Sequence, residues 1–464
     1  MNNDKPKIGI LGLIFGAYEP IFPGITARQE VYVHEIISDL GDSADFHFPG
    51  AVANQQGVID VVRKFNETAM DGIMIVLLSY SLGLSIVKAL QQNKLPILLA
   101  CIQPEQTIGN DWEEFDLTVN QGIHGSQDNA NTIMRMGLPC EVVVENRKSV
   151  NFKTRIIDWA KASQTVCSLR KMKIALLGRL PGMGDILSDD WSFHAKIGPE
   201  VLHENAGVIY QFMHSLTQSE ISNQIERDRD TFEIDPALSF ESLETAAKMY
   251  LAFKKLLESK EYSAYTAHFD IFQEDGRFNQ LPFLAASNLM ADGYGYAAEG
   301  DTATAAMVAA SFCLTGNANF SEMYAMDFEQ NEILLCHAGE GNWLTARNDR
   351  KPKLIDRTIG EGGLGNPPTP VFTPEPGPAA LISLSCVKGD QYRLIVSKGE
   401  ILNKSDMKKI DMPYMFFRPI HGVRNTIESW LKNGGTHHEV VNLGDYTSRW
   451  KILCNILGVE YCEV

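Results

Sequence analysis

Long apolar runs and secretion signals are missing from this chain. No stretch approaches the roughly 18 consecutive apolar residues that a membrane-spanning helix needs, and residues 1–7 lack the charged-then-apolar build of a signal peptide. The eight cysteines include no Cys-x-x-Cys pair. Scattered thiols in a large chain without a secretion signal predict a reduced, cytoplasmic protein.

An excess of basic charge is also missing. Forty-one Lys and Arg residues face 58 Asp and Glu residues, which gives a net charge of −17. Such a field repels nucleic acid and anionic membrane surfaces, so neither is predicted as a partner. The glycine-bearing loop 178–185 lacks the Gly-Lys-Ser/Thr ending of a phosphate-binding loop, and its glycines do not fit a dinucleotide fingerprint. The sequence therefore does not indicate a nucleotide site.

The first third of the chain alternates apolar runs with helical segments. We predict strands at 7–13, 44–48, 72–78 and 96–101, and helices at 27–40, 57–69 and 83–93. This alternation is typical of βαβ units around a parallel sheet that is covered on both faces. Ligands bind beyond the carboxyl ends of such strands, which places the loops 14–26, 79–82 and 103–109 at the expected binding edge.

The remaining 300 or so residues divide into two parts that differ in their predicted secondary-structure pattern. A basic segment at 168–173 precedes a fresh strand at 174–178, so a first boundary is placed near 168. Up to residue 315 we predict an α/β pattern, with helices over much of 215–260 and at 283–291 and 302–312, and a strand at 265–272. Beyond residue 316, short β-rich segments at 332–337, 379–385 and 391–397 are separated by glycine and proline, which favours a small barrel or sandwich. A loop is predicted at 434–438, followed by a helix and a short strand at 446–464.

Residues able to bind a metal ion collect in the second half of the chain. Glu299 lies in an acidic turn, Glu322 follows after 22 residues, His337 closes an apolar run, and paired histidines at 437–438 follow a double glycine. Two Glu and two His form an oxygen and nitrogen ligand set that suits a divalent ion such as Mn²⁺. Each residue also has an ordinary interpretation: a helix N-terminal acid, a surface carboxylate, a core histidine and an exposed pair. The neighbouring Cys336 fits a buried core thiol better than a ligand.

These fragments in their common order resemble the L-arabinose isomerase family, with the L-fucose isomerases as more distant relatives. The resemblance rests on Gln280-Leu281-Pro282, Gly293-Tyr294-Gly295-Tyr296, Glu299-Gly300-Asp301, the spacing to Glu322 and His337, and Gly434-Gly435-Thr436-His437-His438. It implies a metal-dependent aldose–ketose isomerase that works through an enediolate. Glu299 and Glu322 would serve as both metal ligands and acid/base pair, and His337 and His438 would complete the coordination of Mn²⁺, or of Mg²⁺ or Co²⁺. His438 rather than His437 is chosen by resemblance.

The resemblance also implies substrate contacts and an assembly. Asn120-Gln121-Gly122-Ile123-His124-Gly125 is similar to a family segment that touches substrate across a subunit boundary, so Gln121 and His124 are candidate sugar contacts, together with Met183 and Phe272. A trimer-based homo-oligomer, a hexamer, with shared sites is expected. The expected fold is two Rossmann/flavodoxin-like α/β domains and a β-rich, barrel-like C-terminal domain. These are a substrate-lid domain at 1–168, a central domain with the first Glu ligand at 169–315, and a domain with the other ligands at 316–464.

Three departures from the family pattern put L-arabinose itself in doubt. The Gln-His pair of the first loop is replaced within Gly12–Glu19, the Trp-Lys after the Glu-Gly-Asp turn is Thr302-Ala303, and His-Met-Leu-Glu becomes His337-Ala338-Gly339-Glu340. A different open-chain sugar is therefore predicted. Two alternatives stay open: a non-catalytic sugar-binding or regulatory homologue that retains the metal site, and an epimerase or other enediol enzyme acting on an acid sugar.

Overall fold

The computed structural model describes residues 5–359 and 364–464. Residues 1–4, which belong to the segment tested above for a signal peptide, and residues 360–363 lie outside that description. The chain forms two compact units. The first unit runs to Cys167 and includes Ser448–Gly458, and the second comprises Ser168–Thr447 and Val459–Val464. The division into three domains stays a prediction.

A parallel sheet forms the centre of the first unit. Its strand order is β2-β1-β4-β5-β6, with β3 beside β1; the strands are β1 (Lys7–Leu13), β2 (Asp45–His47), β3 (Ala51–Val52), β4 (Gly72–Leu77), β5 (Ile97–Cys101) and β6 (Cys140–Val144). The helices are α1 (Ile25–Leu40), α2 (Gln55–Glu67), α3 (Val87–Leu90), α4 (Glu114–Asn120), α5 (Gly122–Arg135), α6 (Val150–Leu169) and α15 (Thr447–Leu457). Separate apolar clusters occupy the core of this unit, as expected for a sheet buried on both faces.

The helix predicted at 83–93 is shorter than its sequence suggested. A 3₁₀ turn at Gly83–Ser85 precedes α3, which has four residues. A Cβ atom at Gly83 would lie 2.4 Å from Thr132 Oγ1 and 2.5 Å from Asp128 Oδ1. The backbone therefore approaches α5 too closely for a regular helix carrying a side chain there.

The second unit begins with a smaller parallel sheet in the order β11-β10-β7-β8. Its strands are β7 (Lys173–Leu177), β8 (Glu200–His203), β10 (Ala264–Ala267) and β11 (Gly295–Ala298). The helices of this part are α7 (Asp190–Lys196), α8 (Ala206–His214), α9 (Gln218–Thr231), α10 (Phe240–Lys260), α11 (Asp270–Asp275), α12 (Phe283–Ala291) and α13 (Thr302–Thr315). A small sheet joins β9 (Glu233–Ile234), β14 (Lys353–Asp356) and β15 (Pro368–Val371).

An antiparallel barrel completes the second unit. Its described strands follow the order β16-β19-β12-β13-β18-β17, and pairing of β17 with β16 closes the ring. The strands are β12 (Asn319–Asp327), β13 (Glu332–Cys336), β16 (Gly377–Lys388), β17 (Gln391–Ile401), β18 (Tyr414–Pro419) and β19 (His438–Leu443), with β20 (Glu460–Glu463) parallel to β17 and helix α14 (Val423–Lys432) contributing to the core. The predicted fold class, parallel α/β sheets followed by a β-barrel, is confirmed.

One strand prediction in the second unit is wrong. The segment 265–272 was expected to be a single strand, but β10 ends at Ala267 and α11 begins at Asp270. The amide of His268 donates to Leu177 O in the neighbouring strand, after which the chain turns. The apolar pattern continues because Phe272 packs into the core from α11 with no exposed surface.

The described part of the chain contains no helix that is both long and apolar enough to cross a lipid bilayer.

A buried carboxylate on α9 gives the first testable prediction. Asp228 Oδ1 accepts hydrogen bonds from Gln224 Nε2 at 2.9 Å and Asn288 Nδ2 at 3.0 Å, and burial raises the pKa of Asp228 to about 6. Because this pKa exceeds the usual value of 3.8, the charged form costs folding stability. The cost is absent below about pH 4 and complete above the folded pKa, where it is on the order of 2–3 kcal/mol.

Asp228→Asn removes the charge while its Oδ1 can still accept both bonds. We expect the melting temperature at pH 8 to rise by about 5 °C, with a gain that shrinks to nothing near pH 4. Thermal melts at pH 4, 6 and 8 measure it, with the exposed Asp390→Asn as control. An equal effect of Asp228→Asn at all three pH values would contradict the assignment.

Candidate metal centre

Glu299 is presented by a sharp turn between a strand and a helix. Strand β11 ends at Ala298, and Glu299 and Gly300 then adopt left-handed backbone angles, with φ of 65° and 90°. Asp301 caps the following helix α13, because its Oδ1 accepts from the Thr304 amide at 2.9 Å. The carboxylate of Glu299 therefore lies just beyond the carboxyl end of a parallel strand, where α/β sheets bind ligands.

Barrel register brings the other predicted ligands together. Glu322 on β12 is paired directly with His438, the first residue of β19, and on its other side with Cys336 at the end of β13. His337 follows Cys336 immediately. Three neighbouring strands thus contribute a carboxylate and two imidazoles at one level of the barrel.

The four predicted ligands belong to two overlapping clusters that share His438. His438 Nε2 lies 3.6 Å from Glu299 Oε2 and 3.6 Å from Glu322 Oε1, and His337 Nε2 lies 3.9 Å from Glu322 Oε2. Donor atoms of Glu322, His337 and His438 all lie within 4.8 Å of one another. Glu299 Oε2 and His438 Nε2 are buried without a hydrogen-bond partner, as metal-directed donor atoms would be.

Two buried carboxylates orient the imidazoles from behind. Asp301 Oδ2 lies 3.0 Å from His438 Nδ1, and Glu340 Oε1 lies 3.0 Å from His337 Nδ1 and accepts from the Tyr296 hydroxyl at 2.6 Å. A carboxylate hydrogen-bonded to Nδ1, as Asp301 is to His438, fixes the tautomer that leaves Nε2 available as a ligand. Asp301 and Glu340 belong to sequence motifs named above, but neither was predicted to orient a histidine. The i+3 spacing of Glu340 from His337 was an available signal.

His437 also points into the cluster. Its Nε2 lies 3.4 Å from Glu322 Oε1 and 3.6 Å from Glu299 Oε2, and its donor atom groups with those of Glu299 and His438 within 4.8 Å. Asp185 Oδ2 accepts from the His437 amide at 2.8 Å and lies 2.7 Å from Nδ1. Both histidines of the pair therefore face the centre, although only His438 was predicted to.

Contacts between histidines and carboxylates shift the pKa values of groups at this centre. Burial alone would raise the pKa of Glu299, but the His437 and His438 imidazoles outweigh it and hold that pKa below its usual value. Burial alone would lower the pKa of His337, yet the Glu340 carboxylate holds it above the usual value. The carboxylates around His437, Asp185 above all, outweigh burial and raise its pKa to about 10. Glu299 is thus favoured in the ionised form.

Two domain models of one enzyme family match this chain. Residues 188–317 match the model of the L-arabinose isomerase central domain, and residues 317–460 match that of the C-terminal domain. Together they cover more than half of the chain. The chain belongs to the L-arabinose isomerase family. As a member it is classed as a sugar isomerase, an intramolecular oxidoreductase.

Individual relatives match along nearly the whole length. An L-arabinose isomerase of Anoxybacillus flavithermus is 24% identical over 95% of this chain and 90% of its own. L-arabinose isomerase 1 of Bacillus licheniformis is 26% identical over 89% and 86%, and the enzyme of Clostridium beijerinckii is 25% identical over 94% and 92%. Among solved structures, a periplasmic solute-binding protein of Actinobacillus succinogenes with bound D-allose covers 68% of this chain and 92% of its own, at 12% identity and a TM-score of 0.18.

The candidate sugar contacts that the L-arabinose isomerase resemblance supplied lie in different environments. Met183 is half-buried in the loop after β7, two residues from Asp185. Phe272 is completely buried and packs against Phe253 and Phe278, with ring centroids 6.3 and 5.2 Å away. Its ring is part of the aromatic core, so this burial does not favour direct sugar contact. Its role stays a prediction.

Gln121 and His124 belong to the first unit, where they flank the start of α5. His124 is exposed and stacks on Tyr80, with ring centroids 4.5 Å apart. The Tyr80 hydroxyl donates to Asp128 at 3.0 Å, which fixes the platform beneath the imidazole. Both residues stay predicted sugar contacts.

Cys336 is a buried thiol whose pKa burial raises to about 12, a poor metal ligand at neutral pH.

Proposed function

We propose that this chain is an aldose–ketose isomerase that depends on a divalent cation and acts on an open-chain sugar. The observation that carries the proposal is the convergence of Glu299, Glu322, His337 and His438 on one centre. These residues are far apart in the sequence and belong to both the parallel sheet and the barrel of the second unit. Family membership supports the reaction class, and this geometry supports the choice of the groups proposed to perform it.

The donor set fits a divalent cation. Buried, unpartnered Glu299 Oε2 and His438 Nε2 are costly in a metal-free interior. Two carboxylates with two imidazoles suit Mn²⁺, and also Mg²⁺ or Co²⁺, better than softer ions. Glu299, Glu322, His337 and His438 would hold the ion, with His437 directed at the same centre. When bound, such an ion polarises the carbonyl and hydroxyl oxygens of the sugar.

The proton chemistry is assigned to the two carboxylates. Converting an aldose to a ketose moves a proton between C1 and C2 while the two oxygens exchange hydroxyl and carbonyl character. One group removes the carbon-bound proton and another protonates the enediolate oxygen. Glu299, whose pKa is held low, and Glu322 lie within 3.6 Å of the same imidazole, His437. Both carboxylates therefore face the same cluster, which supports assigning them as a pair.

We propose a sugar other than L-arabinose because residues close to the predicted ligands differ from the family pattern. Ala338 and Gly339 replace larger family residues beside His337, and a Cβ at Gly339 would lie 2.6 Å from the Phe283 ring. Thr302 and Ala303 replace the Trp-Lys that follows the acidic turn. The Phe283 ring fills the space beside Gly339, so this wall differs in shape from the family pattern, and we propose a sugar other than L-arabinose.

A homo-oligomer is proposed from the surface of the first unit. Exposed apolar side chains surround Gln121, and Ile108 is 81%, Leu117 58% and Ile123 57% exposed. With Trp112 and Gln121 they line a groove of about 320 Å³. An apolar groove beside a predicted sugar contact is consistent with coverage by a second copy in a trimer-based hexamer with shared sites. Native mass spectrometry of the chain measures this assembly directly.

Sugar conversion in D₂O tests the proposed function. Protein loaded with Mn²⁺ is incubated with a panel of pentoses, hexoses and deoxysugars, and products are followed by NMR. We expect at least one aldose to give its ketose with deuterium entering at C1 of the ketose, and to be used better than L-arabinose. The same protein stripped of metal serves as the blank.

Other outcomes point to the other functions. Saturable sugar binding without ketose formation, and without deuterium at C1 or C2 of the sugar, would indicate the non-catalytic sugar-binding homologue. Inversion at a single carbon with the carbonyl left in place would indicate an epimerase. Equal turnover of every sugar by the metal-loaded and metal-stripped protein would contradict the proposed mechanism.

A further inference from the structure

The backbone that carries Glu299 is strained. Among described residues other than glycine, left-handed φ values occur at Ala69, Glu261, Glu299 and Asn331; only Glu299 belongs to the predicted ligand set. An L-residue with a long side chain adopts this conformation only when its surroundings impose it. Some part of the fold must therefore hold the turn.

Regular strand pairing fixes the turn only in part. The Glu299 amide donates to Ala267 O at 2.9 Å, and Glu299 O accepts from the Leu180 amide at 2.9 Å. The next amide, that of Gly300, has left the sheet because the chain has reversed, and helix α13 starts two residues later. This buried N–H needs a partner from a side chain.

The hydroxyl of Thr266 supplies that partner. Thr266 Oγ1 accepts from the Gly300 amide at 3.0 Å and donates to Ala298 O at 3.1 Å. One hydroxyl thus bridges the residues on either side of Glu299. Thr266 has no exposed surface and lies on β10, the strand next to β11. Only a hydroxyl side chain of this length can donate and accept at once without filling more space.

On the other side of the turn, the chain leaves no space for a side chain at Gly300. A Cβ atom placed on Gly300 would lie 2.6 Å from Arg179 Cα and 2.8 Å from Gly178 O. The loop after β7 therefore packs directly on the turn. Loss of the hydroxyl would leave the Gly300 amide buried and unpaired, a state that the chain would relieve by rotating the Glu299 backbone.

We propose that Thr266 is a positioning residue that holds the Glu299 carboxylate at the metal centre by clamping the left-handed turn around it. This inference rests on the proposed function. Thr266 touches neither sugar nor metal, so its effect reaches the reaction only through the direction of Glu299. Metal affinity and kcat should therefore respond, whereas KM should change little.

The pair Thr266→Ala and Thr266→Ser tests the clamp, because both lose the methyl group and only alanine loses the hydroxyl. We expect Thr266→Ala to bind Mn²⁺ about tenfold more weakly by calorimetry and to lose at least tenfold in kcat. We expect Thr266→Ser to stay within about twofold of the wild type in both. Thr165 is the matched control, since it is buried and its hydroxyl donates only to Lys161 O in its own helix; its Ala and Ser variants should behave alike.

Equal Mn²⁺ affinity and equal kcat in Thr266→Ala and Thr266→Ser would overturn the clamp. If Thr266→Ala does not fold, as judged by circular dichroism, Thr266→Cys takes its place, because a thiol fills similar space and hydrogen-bonds weakly. Failure of the proposed function is a separate result. In that case the wild type itself would neither bind Mn²⁺ nor isomerise any sugar.

Discussion

Replacing Glu322 by glutamine is expected to lower kcat about a thousandfold or more. Glutamine keeps the shape of the side chain but cannot take up a proton, and positioned acid/base groups contribute roughly 10²–10⁴-fold. It also places an uncharged amide where Glu322 Oε1 now lies 3.4 Å from His437 Nε2 and 3.6 Å from His438 Nε2. The change thus removes a proposed ligand and half of the proposed acid/base pair. NMR of aldose-to-ketose conversion, on the sugar that the wild type uses best, measures the loss.

Glu400→Gln provides the control for this change. Glu400 lies on the barrel strand β17 and is exposed, with its carboxylate 3.2 Å from Arg418 Nη1. Exposed ion pairs contribute about 1 kcal/mol at most, so this variant should keep wild-type kcat. A Glu322→Gln variant that retained activity within tenfold of the Glu400→Gln variant would remove Glu322 from the mechanism.

The α/β framework was predictable because apolar runs mark buried parallel strands. The predicted strand 7–13 and helix 283–291 coincide with β1 and α12, and the strand predicted at 72–78 differs from β4 by one residue. Local sequence suffices there because every residue of β4 is buried. The strand predicted at 265–272 was wrong because burial alone does not distinguish a strand from a helix. An apolar residue at Phe272 contributes to the core equally well from a helix, and periodicity over so few residues does not separate the two.

The ligand set was predictable only through family resemblance. Glu322 and His438 are 116 positions apart, and their direct pairing depends on the register of β12 with β19, which local sequence does not encode. By resemblance His438 was chosen over His437, and the structure points both toward the centre. The sequence alone left the choice between the two histidines open, because Asp185, which holds His437, lies 252 residues away in a loop that carried no charge-pair signal.

Supporting residues had weaker signals still. Asp301 precedes an alanine-rich helical run, which is an N-cap signal, but that signal says nothing about the second oxygen, which reaches His438 Nδ1. Thr266 gave no signal at all. A threonine in a strand is ordinary, and its role follows only from the left-handed turn at Glu299. Residues that act through others thus become visible only once the backbone is known.

Removal of divalent cations is expected to abolish turnover and to destabilise the second unit. Without a cation, Glu299 Oε2, His437 Nε2 and His438 Nε2 remain buried beside one another without hydrogen-bond partners. Ligand present at about 1,000 times its Kd stabilises a folded protein by roughly 4 kcal/mol. At about 2 °C per kcal/mol for a unit of this size, we expect chelation to lower the melting temperature by about 8 °C. Differential scanning fluorimetry after dialysis against chelator, with and without added Mn²⁺, measures the shift.

Two histidine variants separate this effect from general chelator damage. His438→Gln removes a buried ligand at the centre of the cluster, so its melting temperature should no longer respond to Mn²⁺. His421→Gln changes an exposed histidine in the turn after β18 and should respond as the wild type does. A melting temperature and a kcat that are the same before and after chelation in the wild type would show that the convergence of these donor atoms serves neither binding of a cation nor catalysis. Asp301 both orients His438 and caps α13. We therefore expect loss of the ion to destabilise the start of that helix first. Hydrogen exchange at the Thr304 amide would report this local destabilisation.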